Sequence, residues 1–109
     1  MSMFTFSTAN KIVFGRKRSI EVVSHVARLA DTVLLVTGAT NERAAHVYEE
    51  LEAQGVEPIW FHVEYEPDLA LIEKGVSAAQ HVDAVIAVGG GSAIDAGKAI
   101  AALAPATRL

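Results

Sequence analysis

The protein has 109 residues, of which 51% are hydrophobic and 20% are charged, a balance typical of one globular domain rather than of a disordered chain. Its net charge of -4 gives no basic surface for nucleic acid, and the absence of cysteine excludes disulfides and thiolate metal sites. Because no apolar stretch has the length of a membrane span and the start lacks a signal-peptide pattern, we expect a cytoplasmic protein without a membrane or nucleic-acid partner.

The first predicted elements are a hairpin and a helix. Two short β segments, Phe4 to Ser7 and Lys11 to Phe14, flank a Thr-Ala-Asn turn and predict a β-hairpin within residues 3–14. Ser19 can cap a helix over residues 20–30, where apolar residues recur at helical spacing.

The next segment alternates strands and helices. An unbroken apolar run, "TVLLVTG" at 32–38, predicts a strand covered on both faces, and Asn41 can cap the following helix, which stops at Gly55. In "VEPIWFHV" at 56–63, we expect strand pairing to begin only after Pro58.

The last elements repeat this alternation. Pro67 suits the first turn of a helix that runs through "DLALIEKGVSAAQH", which Gly75 weakens slightly. The strand "DAVIAVG" at 83–89 and the helix "SAIDAGKAIAALA" complete the pattern. Three strand and helix units with short connections predict an α/β, Rossmann-like, doubly wound and mainly parallel sheet over residues 19–104, behind the N-terminal hairpin.

Three consecutive glycines, Gly89 to Gly91, lie where the last strand meets the last helix. Ligands of open parallel sheets bind beyond the carboxyl ends of the strands, where helix N-termini present free N–H groups. Glycine allows positive φ and leaves the amides accessible to a phosphate oxygen, and Ser92 can cap the helix or donate its hydroxyl. The stretch therefore predicts a phosphate or pyrophosphate site; the alternative is a tight turn only, with Asp95 and Lys98 as an exposed pair.

Two familiar phosphate loops do not fit this stretch. A P-loop requires four residues between its glycines and a Ser or Thr after the lysine, whereas Gly91 and Gly97 are separated by five residues and Ala99 follows Lys98. The dinucleotide fingerprint G-x-G-x-x-G has Ile94 in its third glycine position.

Taken whole, "GGGSAIDAGKAIA" resembles the G-G-G-S-x-x-D-x-x-K signature of the iron-type (group III) alcohol dehydrogenases, and the similarity extends over residues 4–104. The resemblance implies one nicotinamide-dinucleotide-binding domain over residues 1–109, with the pyrophosphate at the glycine loop. It implies hydride transfer between NAD(P)H and an alcohol, aldehyde or ketone, with the substrate oxygen polarised by iron or zinc. By the same resemblance Asp95 lies toward the nicotinamide, and Lys98 steadies the motif helix.

The chain also departs from this family. The family's metal ligands belong to a helical C-terminal domain without a counterpart here, so we expect no metal site, no catalytic residue and no turnover by this chain alone. Its own histidines are too scattered for a metal site: His25, His46, His62 and His81. The tail "LAPATRL" differs from the family and is either a truncation or a natural end. We expect self-association as a dimer, because the resemblance implies a family whose members commonly pair as dimers and the hairpin offers an unpaired edge.

Cofactor choice is predicted from the end of the first long strand. An acid there would bind the ribose hydroxyls of NAD and repel the 2'-phosphate of NADP, but this chain has Gly38, followed by Thr40, Asn41 and Arg43. We therefore expect NADP to be tolerated and favoured over NAD. Two alternatives stay open: Gly38, Thr40 and Asn41 only form a turn and a cap, or Glu42 binds the ribose and restores NAD. Glu66 replaces an asparagine that many relatives place near the cofactor.

The predicted cofactor-binding residues are thus Gly38, Thr40, Asn41, Gly89, Gly90, Gly91, Ser92 and Asp95. Two functions compete with a dehydrogenase cofactor domain. The first is a stand-alone module that binds a dinucleotide or another phosphorylated ligand without redox chemistry, and the second is a purely structural α/β unit.

Overall fold

The structure, a computed structural model, describes residues 4–6, 12–14, 19–38 and 42–104. Strands β1 (Phe4–Phe6) and β2 (Ile12–Phe14) pair antiparallel, which confirms the hairpin. The elements that follow are α1 (Ser19–Ala27), β3 (Thr32–Gly38), α2 (Glu42–Ala53), β4 (Glu57–Val63), α3 (Leu69–Ala78), a 3-10 turn (Ala79–His81), β5 (Ala84–Val88) and α4 (Gly91–Leu103). None of the helices in these ranges is long and apolar enough to cross a membrane.

The parallel sheet has the strand order β4-β3-β5. The chain adds β4 on one side of β3 and then crosses over to add β5 on the other side. Helices α1 and α2 cover one face, where their apolar side chains meet Val33, Leu35 and Ile86. Helices α3 and α4 cover the other face, against Leu34, Val36 and Val85. Helices on both faces of a parallel sheet confirm the predicted Rossmann-like, doubly wound α/β fold.

The central strand is buried because both of its faces are covered. Val33 to Val36 are fully buried, as the unbroken apolar run predicted. Helix α2 ends as predicted at Gly55, which has a φ of 87°. There the Val56 N–H donates to the Leu51 carbonyl at 2.9 Å and the Gly55 N–H to the Glu52 carbonyl at 3.1 Å, the two bonds of a Schellman motif.

The predicted start of pairing in β4 is wrong. Glu57 and Pro58 already pair with Thr32 and Val33 of β3. The Glu57 N–H donates to the Asp31 carbonyl at 2.8 Å, so the next nitrogen, that of Pro58, points away from β3. Because β4 is an edge strand of the described sheet, the missing N–H of Pro58 interrupts no ladder.

The start and interior of α3 also differ from expectation. Asp68 caps the helix, its carboxylate accepting from the Leu71 N–H at 2.9 Å, so Pro67 precedes the cap instead of lying in the first turn. Gly75 is buried where α3 crosses α4: a Cβ there would lie 2.6 Å from Ile100 Cγ1 and 3.3 Å from Phe61 Cε2. The residue that appeared only to weaken the helix therefore permits close contact between α3 and α4.

Candidate functional site

The carboxyl ends of the three parallel strands form one edge of the sheet. Thr37 of β3 is paired with His62 of β4 and with Val88 of β5, and Gly38 and Gly89 follow directly. Neighbouring strands are spaced about 5 Å apart, so Gly38 lies close to the start of the glycine loop. The structure thus brings together two segments that are 51 positions apart in the sequence.

In the glycine loop, the backbone conformation requires glycine at residue 89 but not at residues 90 and 91. Gly89 is buried with a φ of 146°, which side chains rarely adopt. Gly90 has an ordinary φ of -85°, and a Cβ built on Gly90 or Gly91 would meet no atom within 4 Å. Neither packing nor backbone conformation therefore requires glycine at residues 90 and 91. Close approach of a ligand to the backbone would explain the glycines at these two positions.

Helix α4 starts in the middle of this loop without a side-chain cap. Its N-cap is Gly90, and the first intrahelical bond joins the Ile94 N–H to the Gly90 carbonyl at 3.0 Å. The N–H groups of the first turn precede any intrahelical partner, and the helix dipole adds positive potential there. The arrangement is one that binds an anion, and a phosphate in particular.

Ser92 lies within this first turn, with its side chain half-buried. The alternative that Ser92 caps α4 is wrong, because the N-cap position belongs to Gly90. Its hydroxyl instead donates to Glu66 Oε2 across 3.5 Å, a long and weak hydrogen bond. Glu66 belongs to the connection between β4 and α3, so a carboxylate stands beside the open end of α4.

Thr37 is a feature of the edge that the predicted site omits. Its side chain is 1% exposed, and its Oγ1 has no hydrogen-bond partner in the part of the chain that the structure describes. A buried hydroxyl without a partner costs about 1 to 3 kcal/mol, so its place at the strand ends fits a polar ligand. The signal in the sequence was a threonine at the carboxyl end of the apolar run, directly before Gly38.

The other predicted residues lie around this edge. Gly38 ends β3, and a Cβ there would meet no atom within 4 Å. Asp95 is exposed on α4 one turn beyond Ser92, so the two side chains lie on the same side of the helix. Thr40 and Asn41, the remaining two, lie outside the described residues.

Within the described ranges, no group of three or more His, Asp or Glu side chains is placed to hold a metal ion. His62 instead stacks on Trp60 at 5.5 Å between ring centroids, and Trp60 stacks on Tyr48 of α2 at 4.8 Å. The described residues thus include no set of ligands that fits the metal of the iron-type alcohol dehydrogenases.

A family model and two similar proteins of known name all point to alcohol dehydrogenases. The family model "Iron-containing alcohol dehydrogenase" matches residues 9–108. A protein of Bacillus subtilis (strain 168) described as a probable NADH-dependent butanol dehydrogenase is 33% identical over 94% of this chain, which corresponds to 28% of that protein. NADH-dependent butanol dehydrogenase A of Clostridium acetobutylicum is 29% identical over the same shares.

The fold has a solved counterpart. The archaeal halo-thermophilic Red Sea brine pool alcohol dehydrogenase ADH/D1 superimposes with a TM-score of 0.68 at 27% identity, over 88% of this chain and 25% of that chain. The chain therefore spans little more than a quarter of the length of these relatives.

Proposed function

Because the chain belongs to the iron-containing alcohol dehydrogenase family, we propose that its residues 1–109 are one domain that binds a nicotinamide dinucleotide. The domain would serve an oxidoreductase that transfers hydride between NAD(P)H and an alcohol, aldehyde or ketone. The main observation behind this proposal is the start of α4, which has no side-chain cap and has glycines at residues 90 and 91 that no packing contact requires. The relatives named as NADH-dependent butanol dehydrogenases support the same class of cofactor.

The proposed roles rest on position at the sheet edge for the described glycines, Ser92 and Thr37, and on the family resemblance for Thr40, Asn41 and Asp95. Gly89 turns the chain, and the amides of Gly91 and Ser92 bind the pyrophosphate together with the dipole of α4. Gly38, Thr40 and Asn41 bind the adenosine end, and Asp95 lies toward the nicotinamide. Thr37, buried and without a partner among the described residues, hydrogen-bonds a polar group of the ligand.

When bound, the nicotinamide ring supplies the hydride donor or acceptor. The residues of this chain bind, orient and shield the dinucleotide. Among the described residues, no cluster of three or more His, Asp or Glu side chains is placed to bind a metal ion. We propose that turnover needs a metal-binding domain of the kind that the resembling family carries, and that the 109-residue chain alone binds the cofactor without oxidising alcohols.

Calorimetric titration of the purified chain with NADH and NADPH tests the proposal, with Gly90→Val as the variant. The extended backbone of residue 90 accepts valine without strain, so this variant should fold. Its side chain should fill the phosphate cradle and abolish binding. Equal binding by wild type and Gly90→Val would overturn the site, and no binding by a folded wild-type chain would overturn the function.

We also propose that the site binds NADP more tightly than NAD. This preference is supported by Gly38, which leaves space at the end of β3, whereas the names of the relatives specify NADH. Gly38→Asp should shift the ratio of affinities toward NADH, since a carboxylate repels a 2'-phosphate. An unchanged ratio in the same titration would remove the preference.

Self-association is also proposed, as a dimer. Several large apolar side chains are exposed, among them Trp60 on the edge strand β4 and Leu69 and Leu103 on the α3 and α4 side. Light scattering behind size-exclusion chromatography tests it, and a monomer at high concentration would contradict it. The cytoplasmic location stays a prediction.

A further inference from the structure

Glu66 is the acidic side chain beside the proposed phosphate cradle. Its Oε2 lies 3.5 Å from Ser92 Oγ, in the first turn of α4. Glu66 is exposed, and the contact is too long to hold the carboxylate firmly. The open end of α4 therefore has a negative charge of the protein's own next to the N–H groups that attract anions.

We propose that Glu66 sets the affinity of the site by competing with the pyrophosphate for the start of α4. This inference rests on the proposed dinucleotide site and deepens it. With no ligand, the carboxylate interacts with Ser92 and with the positive end of the helix dipole. A pyrophosphate bound to the free amides of the first turn would be repelled by this nearby carboxylate, which would then move away from Ser92.

The surroundings of Glu66 give it room to move. A cavity of about 220 Å³ adjoins it, with a lining that includes Asp68, Leu71 and the cation Lys74. An exposed carboxylate that leaves Ser92 thus finds open space with a positive charge on its wall. Movement of the side chain lowers the repulsion but does not remove it, because Glu66 stays attached to the same short connection.

The size of the effect follows from Coulomb's law. A carboxylate close to a bound phosphate repels it, and the repulsion is stronger near a protein surface than in bulk water. Replacement of the carboxylate by a neutral amide should therefore tighten dinucleotide binding about threefold to tenfold. The gain should shrink in salt, because the Debye length falls from about 30 Å at about 0.01 M to about 3 Å at about 1 M.

The test titrates NADH into the 109-residue chain and into Glu66→Gln at these two salt concentrations. Glu64→Gln is the matched control, since Glu64 is an exposed acid in the same connection and removes the same net charge. We expect tighter binding in Glu66→Gln at low salt, a smaller difference at high salt, and little change in Glu64→Gln.

Two results separate this inference from the proposed function. If all three chains bind NADH equally, or if Glu64→Gln gains as much as Glu66→Gln, the site stands and competition by Glu66 is wrong. If folded wild type and Glu66→Gln both fail to bind NADH, the proposed function fails, and the inference fails with it.

Discussion

Helices α3 and α4 begin in similar ways and differ in the side chain of the N-cap residue. Both follow a strand of the parallel sheet and pack on the same face, and both have an N-cap with extended backbone. At α3 the Asp68 carboxylate accepts from the Leu71 N–H at 2.9 Å, whereas at α4 the cap is Gly90, which has no side chain to accept from the first-turn N–H groups. One helix start is closed by a side chain of the protein itself, and the other is the start at which we propose that the pyrophosphate binds.

This difference shows how stability and binding are divided along one face of the sheet. A side-chain cap contributes about 1 kcal/mol to a helix, and a helix without one gives up part of that stability. Anion binding by the free amides can offset this loss of stability.

The largest effect is expected when the open helix start is closed by substitution. Gly90→Asp should weaken NADH binding about 100-fold or more, because the new carboxylate occupies the free amides and repels the pyrophosphate. The same variant should keep its stability or gain a few tenths of a kcal/mol as a capped helix. Calorimetric titration and urea unfolding measure the two quantities. Undiminished NADH binding would show that α4 does not hold the phosphates.

The next effect concerns the contact that holds the two helices together. Gly75→Ala should lower the free energy of unfolding by about 1 to 3 kcal/mol, since the methyl group collides with the fully buried Ile100. The better helix propensity of alanine offsets about 1 kcal/mol of the clash and is included in that range. Urea unfolding measures the loss.

A companion variant tests the cause of this loss. In the background of Ile100→Ala, which leaves space at the contact, Gly75→Ala should cost much less or stabilise the chain. An equal loss in both backgrounds would mean that the contact with Ile100 is not the cause.

A carboxylate cap at the opposite edge of the sheet offers a comparison without a ligand. Asp83 Oδ2 accepts from the Asp31 N–H at 2.8 Å and from the Thr32 N–H at 3.3 Å. Asp83→Ala should cost about 1 to 2 kcal/mol, and Asp83→Asn less, because an amide oxygen still accepts. NADH affinity should not change, and a loss of binding in a folded Asp83→Ala chain would argue against a site confined to the carboxyl edge.

The smallest effect is expected at the closed helix start. Asp68→Ala removes the cap of α3 and should cost about 1 kcal/mol in urea unfolding, with NADH affinity nearly unchanged. Together with Gly90→Asp it forms a mirror pair, in which one variant loses stability alone and the other loses binding alone. Loss of NADH binding in Asp68→Ala would break the division between the two helix starts.

Much of the site was accessible from local patterns. The glycine loop was located at the junction of β5 and α4, because three glycines after an apolar run are a signal contained within a few residues. The neighbour of that loop was not predictable in the same way. Contact between Ser92 and Glu66 joins residues 26 positions apart, and the unpartnered hydroxyl of Thr37 is recognised only when the surrounding elements are in place.

By itself, the sequence determined the order of strands and helices and the position of the glycine loop. These depend on hydrophobic periodicity and on glycine, which act over short stretches of chain. Only the tertiary structure decided the strand order β4-β3-β5, which makes β4 an edge where Pro58 can pair, and the crossing of α3 over α4 that needs Gly75. The physical reason is that pairing and packing depend on which distant surfaces meet, and no local pattern records that choice.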